Sequence, residues 1–399
     1  MTAIDHRAVP AGAARFGDLF ARIAVGAADR ERARELPFEQ VQWLREAGFG
    51  AVRVPLERGG SGVDLPELFG LVIALAEADP HVAHLLRGHF GYLEGRLQAA
   101  DGPVRDAWLD RAAAGQIVGN ASSETNDKVS TELDTVLRRS GSGYLLTGRK
   151  YYSTGTIFAD WIAATAILDG ARMSVAVPAT AAGVRRLDDW DGFGQGLTGS
   201  GTTIFDSVAV EAVHVGPYEN PGASTSAAFY QVYLLAVLAG IGRALVRDAV
   251  EFVRPRTRSF LTGRGVLPRE DPLIQQVVGR LSAAAFTAES LVLTAARELQ
   301  AATDSVGVDG PDPVLADRAE LAAYRAQLVV GDTILEAADR LFEVGGASAL
   351  DRSRLLDRHW RNARTLASHN PAVFKARIIG EHLLLGTSPA VRWGNPQGG

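Results

Sequence analysis

The feature of this chain that most restricts its fold is a block of strand texture set between two long stretches of helical period. Within the block, Thr135–Arg139, Gly143–Thr147, Trp161–Leu168, Met173–Pro178 and Thr202–Val210 are short, rich in β-branched residues and separated by Gly or Asp. That is the pattern of successive strands closed by turns. Before the block, Pro37 opens a helix that Gly48 closes, with Phe38, Val41 and Leu44 on one face. Further helices are expected over Leu65–Ala78 and His81–Ala99, with a turn-rich link through Val52–Pro55 and Gly59–Gly62. After the block, helical period returns near Ala223. Leu273, Val277, Leu281, Ala284, Ala288, Leu291, Ala295 and Leu299 then hold a helical spacing for about seven turns. Helices also fit 313–345, 352–367 and 371–385, with Gly345-Gly346 as a break, while Ser305–Pro313 and Gly263–Pro272 read as connections. Runs of one element followed by runs of another favour separate layers over a βαβ sheet. The expectation is an α+β protein with an amino-terminal helical domain over 1–115, a central β barrel or sandwich over 116–218, and a carboxy-terminal helical bundle over 219–399.

Composition narrows the function. A net charge of −5 provides no general attraction to nucleic acid or an anionic membrane surface. No apolar run approaches the roughly 20 residues of a membrane span, and Met1–Gly12 lacks the layout of a secretory signal, so a cytoplasmic enzyme is expected. The absence of cysteine removes disulfides, thiolate metal ligands, iron–sulfur clusters and a cysteine nucleophile. His81 and His84 have metal-ligand spacing but no third ligand, so no metal is expected. Gly192-Phe193-Gly194-Gln195-Gly196 is not framed by a strand and a helix, so it is not a dinucleotide loop. No Gly-x-Ser-x-Gly elbow supports a serine hydrolase.

Three polar segments remain: Gly119-Asn120-Ala121-Ser122-Ser123-Glu124, Lys150-Tyr151-Tyr152-Ser153-Thr154-Gly155, and Ser368-His369-Asn370-Pro371. Together with Leu36-Pro37-Phe38 through Gly48-Phe49, the Gly59-Gly60-Ser61-Gly62 loop and Phe205–Val210, they resemble the acyl-CoA dehydrogenase superfamily over almost the whole chain. The departures matter. Dehydrogenases of this fold carry a catalytic glutamate in one of two carboxy-terminal helices, yet no Glu lies between Glu219 and Glu251 or between Glu343 and Glu381. Removing a proton α to a thioester carbonyl requires such a base. His369 stands in the late region, where the dibenzothiophene monooxygenase-like branch of the superfamily carries a histidine.

That resemblance implies a homotetrameric, two-component monooxygenase. Reduced FMN, rather than FAD, would come from a separate NAD(P)H:flavin reductase. It would activate O2 through a C4a-(hydro)peroxyflavin to oxygenate a small, largely apolar sulfur-, nitrogen- or aromatic-containing substrate. It places Asn120, Ser153 and His369 as hydrogen-bond donors at the reactive edge, and His89 with Tyr92 as a helix-borne pair for orientation and proton movement. Ser122, Ser123, Ser153 and Thr154 would contact the flavin and Tyr152 would stack beside it. Arg258 would hold the phosphate, with Gly346 and Ser348 adding contacts from a neighbouring subunit. Each residue also has a plain structural role open to it. Asn120 suits a turn, Ser153 a strand, and His369 a cap for the helix that begins near Pro371. His89 and Tyr92 suit a boundary core, and Arg258 a solvated helix end. An acyl-CoA dehydrogenase or oxidase with an unusual base and a non-catalytic flavin-fold relative are the alternative functions.

Overall fold

The computed structural model describes residues 11–125, 132–218, 224–259 and 265–390, with side chains from residue 15. Expected features at Ala223 and at the start of Gly263–Pro272 lie outside these residues. Seven helices come first: α1 (Ala11–Ala24), α2 (Ala27–Ala33), α3 (Phe38–Glu46), α4 (Leu65–Ala78), α5 (Pro80–Leu85), α6 (Arg87–Leu97) and α7 (Pro103–Ala113). Asp64 and Asp79 cap α4 and α5 by accepting from backbone amides, each followed by a proline in the first turn. The single helix expected over His81–Ala99 is two, broken at Leu86.

Eight strands follow: β1 (Val118–Ala121), β2 (Val136–Ser140), β3 (Gly143–Lys150), β4 (Trp161–Leu168), β5 (Ala171–Pro178), β6 (Val184–Arg186), β7 (Thr203–Val210) and β8 (Val215–Pro217). They form one sheet in the order β6-β7-β3-β2-β4-β5-β8, with β1 parallel to β4. Its core holds Leu137, Leu146, Ile162, Val175, Val177, Phe205 and Val208.

The last helices are α8 (Ser226–Val253), α9 (Pro272–Asp304), α10 (Pro313–Arg340), α11 (Arg358–Ala367) and α12 (Ala372–Leu385). The two helical regions, separate in the chain, share one hydrophobic core in which α4 packs on α8 and α8 on α9 and α10. At the α4–α8 crossing a Cβ on Gly240 would lie 2.4 Å from the Ala76 Cβ, so glycine sets how closely these helices approach. Contrary to the sequence expectation, α8 and α9 are both long and apolar enough to cross a bilayer by length and composition. Burial of 83% of the apolar window of α8 makes it a core helix. Apolar side chains on α9 (Leu273, Phe286) and α12 (Phe374, Leu384, Leu385) stay exposed on the single chain.

Candidate active site

The site forms where the turn after β3 meets the break between α5 and α6. Tyr152 there has φ of 58°, and the Thr154 amide bonds back to the Tyr152 carbonyl, a tight reversal of the chain. Gly155, at φ 80°, sits so close to α5 that a Cβ would lie 2.3 Å from the Leu85 carbonyl oxygen. Within this turn the Ser153 amide donates to Gly201, and the Ser153 carbonyl accepts from the Thr156 amide and hydroxyl. Ser153 is fully buried, and its Oγ has no partner among the described residues. Thr154 Oγ1 lies 2.8 Å from Ser200 Oγ, which in turn lies 2.7 Å from Thr198 Oγ1.

β1 borders the turn. The Asn120 amide donates to the Thr154 carbonyl, and Ser122 Oγ donates to Asn120 Oδ1 at 2.9 Å. The Ser123 carbonyl accepts from the Tyr151 amide. Beyond it, buried Lys150 donates to Glu124 Oε1 at 2.6 Å, and Glu124 also accepts from Thr135 and Asp134. These bonds hold the Glu124 carboxyl below its usual range against the opposing effect of burial. The ion pair fixes the spacing between the Ser122-Ser123 segment and the Ser153 turn.

The helical wall comes from both ends of the chain. A Cβ on Gly88 would lie 2.8 Å from Asn120 Cβ, so α6 presses directly on β1. One turn earlier, His84 Nδ1 is 3.0 Å from Gln195 Oε1, and His84 Nε2 is buried with no partner among the described residues. Burial first, then Arg87 and His369, lowers the His84 pKa to about 3. Arg87 donates to the Tyr230 carbonyl on α8 and lies 4.7 Å from that ring's centre. His369 Nδ1 is 3.3 Å from Asn370 Oδ1, and Asn370 Nδ2 donates to Gln231 on α8. The His369 imidazole keeps an exposed surface, yet the protein packed around it, followed by Arg87, lowers its pKa to about 4. Neutral imidazoles therefore face this site above mildly acid pH.

Several expected residues stand elsewhere. His89 spends both ring nitrogens on backbone: Nε2–H donates to the Gly50 carbonyl at 2.8 Å, and Nδ1 accepts from the Val118 amide at 3.3 Å. Burial lowers its pKa to about 4. It is a strut between α6, β1 and the loop after α3. Tyr92 packs edge-on against Trp108 in a small hollow with Arg111 and Trp161, and burial raises its pKa to about 12. Three-residue spacing put both on one helix face, and that face meets α7 and β1. Tyr152 does lie in the site's turn, but its ring is 49% exposed and edge-on to Tyr151 and Trp190. Arg258 is exposed beyond the far end of α8. Gly346 is close by, since a Cβ on its neighbour Gly345 would lie 2.2 Å from the Phe252 ring and 3.2 Å from Arg256. Ser348 is exposed in the same short helical turn.

The sequence marks neither His84 nor Gln195 for this place: His84 reads there as a metal ligand lacking a third partner, and Gln195 as part of an unframed glycine loop. The usable signal was Gly88, which lets the helix carrying His84 reach β1. Gln195 is held in turn, because its amide donates to Asn362 Oδ1 at 2.6 Å and Asn362 donates to Glu31. Bonds and charge from His81, Arg361 and Asn362 hold Glu31 at about 2 although burial opposes them. That hub borders a groove of about 760 Å³ between α1–α2, α5, α8 and α11, on which none of the site residues lies. Among the described residues no cluster suits a metal ion.

Comparison with known proteins identifies the family and the fold. The acyl-CoA dehydrogenase amino-terminal domain model matches residues 5–116, and the acyl-CoA dehydrogenase carboxy-terminal domain model matches 233–373. A dibenzothiophene monooxygenase of Mycolicibacterium goodii is 29% identical over 378 residues, with 89% of each chain covered. A probable FMNH2-dependent monooxygenase, SfnC, of Pseudomonas putida is 25% identical, with 94% of each covered. The crystal structure of TdsC from Paenibacillus sp. A11-2 with FMN and indole superposes with a TM-score of 0.84 at 26% identity, covering 94% of this chain and 98% of that one.

Proposed function

The chain belongs to the acyl-CoA dehydrogenase superfamily, and from that premise we propose that it is an FMNH2-dependent monooxygenase acting on a small, largely apolar sulfur-, nitrogen- or aromatic-containing substrate. The carrying observation is the makeup of the helical wall. His84, Arg87, Gln231, His369 and Asn370 border the site, and none is the carboxylate base that thioester dehydrogenation requires.

The residues fit a flavin. The buried Ser153 hydroxyl has a donor to give and no partner among the described residues to receive it, and buried polar groups rarely stay unpaired without a function. Reduced FMN, when bound, supplies the electrons with which O2 is activated. Ser153 and Thr154 hold the edge of the ring, with Asn120, Ser122 and Ser123 beside them. Neutral His369 holds or receives a proton at that edge, and Arg87 supplies a fixed positive charge.

The phosphate is served from another protomer. α8 runs 22 residues from Tyr230, beside the site, to Phe252, beside Gly345, which at 1.5 Å per residue is roughly 33 Å. One FMN cannot span that distance. Arg258, Gly346 and Ser348 therefore act on the flavin of a neighbouring chain in a homotetramer, for which the exposed apolar residues of α9 and α12 provide the surface. The reduced flavin arrives from a separate NAD(P)H:flavin reductase.

The test is to mix the protein with chemically reduced FMN, O2 and either dibenzothiophene or indole, then measure oxygenated product and peroxide. Product that depends on reduced FMN supports the proposal. Peroxide alone from a panel of sulfur, amine and aromatic probes overturns it. Bleaching of oxidised flavin by an acyl-CoA thioester would assign a dehydrogenase instead. Rapid FMN reduction by NAD(P)H on the isolated protein would remove the reductase.

A further inference from the structure

Three side-chain amides meet behind His369. Gln327 on α10 donates from Nε2 to the Asn370 backbone carbonyl at 2.8 Å. A carbonyl can only accept, so this bond has one polarity and pins the Asn370 backbone to α10. Pro371 follows at φ −60°, which stiffens the exit from the turn into α12. The Asn370 side chain is then stretched between two partners: Nδ2 donates to Gln231 Oε1 at 2.8 Å, and Oδ1 lies 3.3 Å from His369 Nδ1. With its N–H group spent on α8, Asn370 turns a pure acceptor toward the imidazole, and a nitrogen facing an acceptor must carry the proton.

We propose that Asn370 is a positioning residue that holds neutral His369 as its Nδ1–H tautomer, so that Nε2 meets the reacting groups as a hydrogen-bond acceptor. The inference rests on the placement of His369 beside the flavin in the reading above. It reverses one expectation from the sequence, in which His369 was a donor. An acceptor at Nε2 takes a hydrogen bond or a proton from a protonated oxygen on cofactor or substrate, and it leaves donation to Ser153. The titratable groups that face His369 are Arg87 from α6 and His84 from α5. Arg87 opposes the imidazolium, and His84 is itself neutral, so the ring stays in the acceptor form through the neutral range.

The test uses the full-length protein labelled with 15N-histidine at pH 7, with two-bond 15N–1H correlation reporting the tautomer and the spectrum of His369→Gln assigning the signals. A protonated Nδ1 with a bare Nε2 is the expected pattern. The reverse pattern, or equal populations, overturns the proposal, because the amides of Asn370 and Gln231 would then be turned round or free to turn. A second readout is the pH profile of product formed per reduced FMN. Asn370→Asp puts a carboxylate on Nδ1 and should move the acid limb up by about one to two pH units. Asn370→Leu should lower the yield several-fold at unchanged FMN affinity. A limb that does not move in Asn370→Asp refutes the positioning role even if the variant is less stable. Absence of product from every probe would refute the monooxygenase reading and leave the tautomer measurement standing.

Discussion

Ser153→Ala separates a hydroxyl kept for a ligand from one kept for the fold. The bonds that shape the turn are made by the Ser153 backbone, to Gly201 and Thr156, and alanine preserves them. The hydroxyl itself is fully buried and unpaired among the described residues, a condition that costs about 1–3 kcal/mol. Deleting one oxygen atom leaves a void smaller than a methyl group and loses less than about 1 kcal/mol. The flavin-free variant should therefore be as stable as the parent or up to about 2 kcal/mol more stable. At about 2.1 cal/mol/K per residue, 399 residues unfold with an entropy near 0.8 kcal/mol/K, so the melting temperature should stay level or rise by up to about 2 °C. With reduced FMN the sign reverses. Losing one hydrogen bond of about 1–2 kcal/mol should lower product per reduced flavin by about 5- to 30-fold. Differential scanning fluorimetry with and without FMN, paired with product analysis, reads both effects. A fall of several degrees in the flavin-free protein together with unchanged product would show that the hydroxyl serves the fold.

Three further outcomes follow from the geometry. His89→Ala orphans the Gly50 carbonyl and the Val118 amide and opens a void, so it should destabilise by about 3–5 kcal/mol in denaturant titration while the folded fraction keeps its product yield. Because His89 is held neutral, its contribution to stability is present above pH 6.5 and is lost as pH falls toward 4. Lys150→Met strands the Glu124 carboxylate and should cost about 3–5 kcal/mol, with much of the loss recovered in the Lys150→Met, Glu124→Gln double variant. Glu320, buried on α10, is pushed up to about 7 by burial, with Tyr324, Lys375 and the Ala228 amide opposing. Its folded value lies above its unfolded one, so its contribution is full below about pH 4.5 and is lost as pH rises through 7. Glu320→Gln should flatten that decline, and melting temperatures at about pH 4.5 and about pH 8 would show it.

The α–β–α order was legible in the chain because it depends on local preference and period, whereas Ser153, expected in a strand, stands in the tight turn that follows β3. Pro313 opens α10 and Pro272 opens α9 where the sequence expects new helices. The missing glutamate is a fact of the sequence, and it favours the oxygen-activating reading over dehydrogenation without reference to the fold. His369 late in the chain, and its resemblance to the histidine of the monooxygenase-like branch, are equally features of sequence.

Which side chains share the site was decided by tertiary structure. A helical face is defined by spacing, but the partner it meets is set by how α6 lies on β1. The contact at Gly88 turns His84 and Arg87 toward Gln195 and Tyr230, while His89 and Tyr92 face backbone and Trp108. The same holds for polarity at His369. Its presence is a fact of sequence, but its hydrogen-bonding character depends on amides contributed by α8 and α10, 139 and 43 residues away from Asn370. Arg258 shows the limit most plainly. Its residue type suits a phosphate, but it stands past the end of α8 remote from Tyr230. Short-range preference writes the elements, whereas distance and direction between groups far apart in the chain exist only once the shared core has packed.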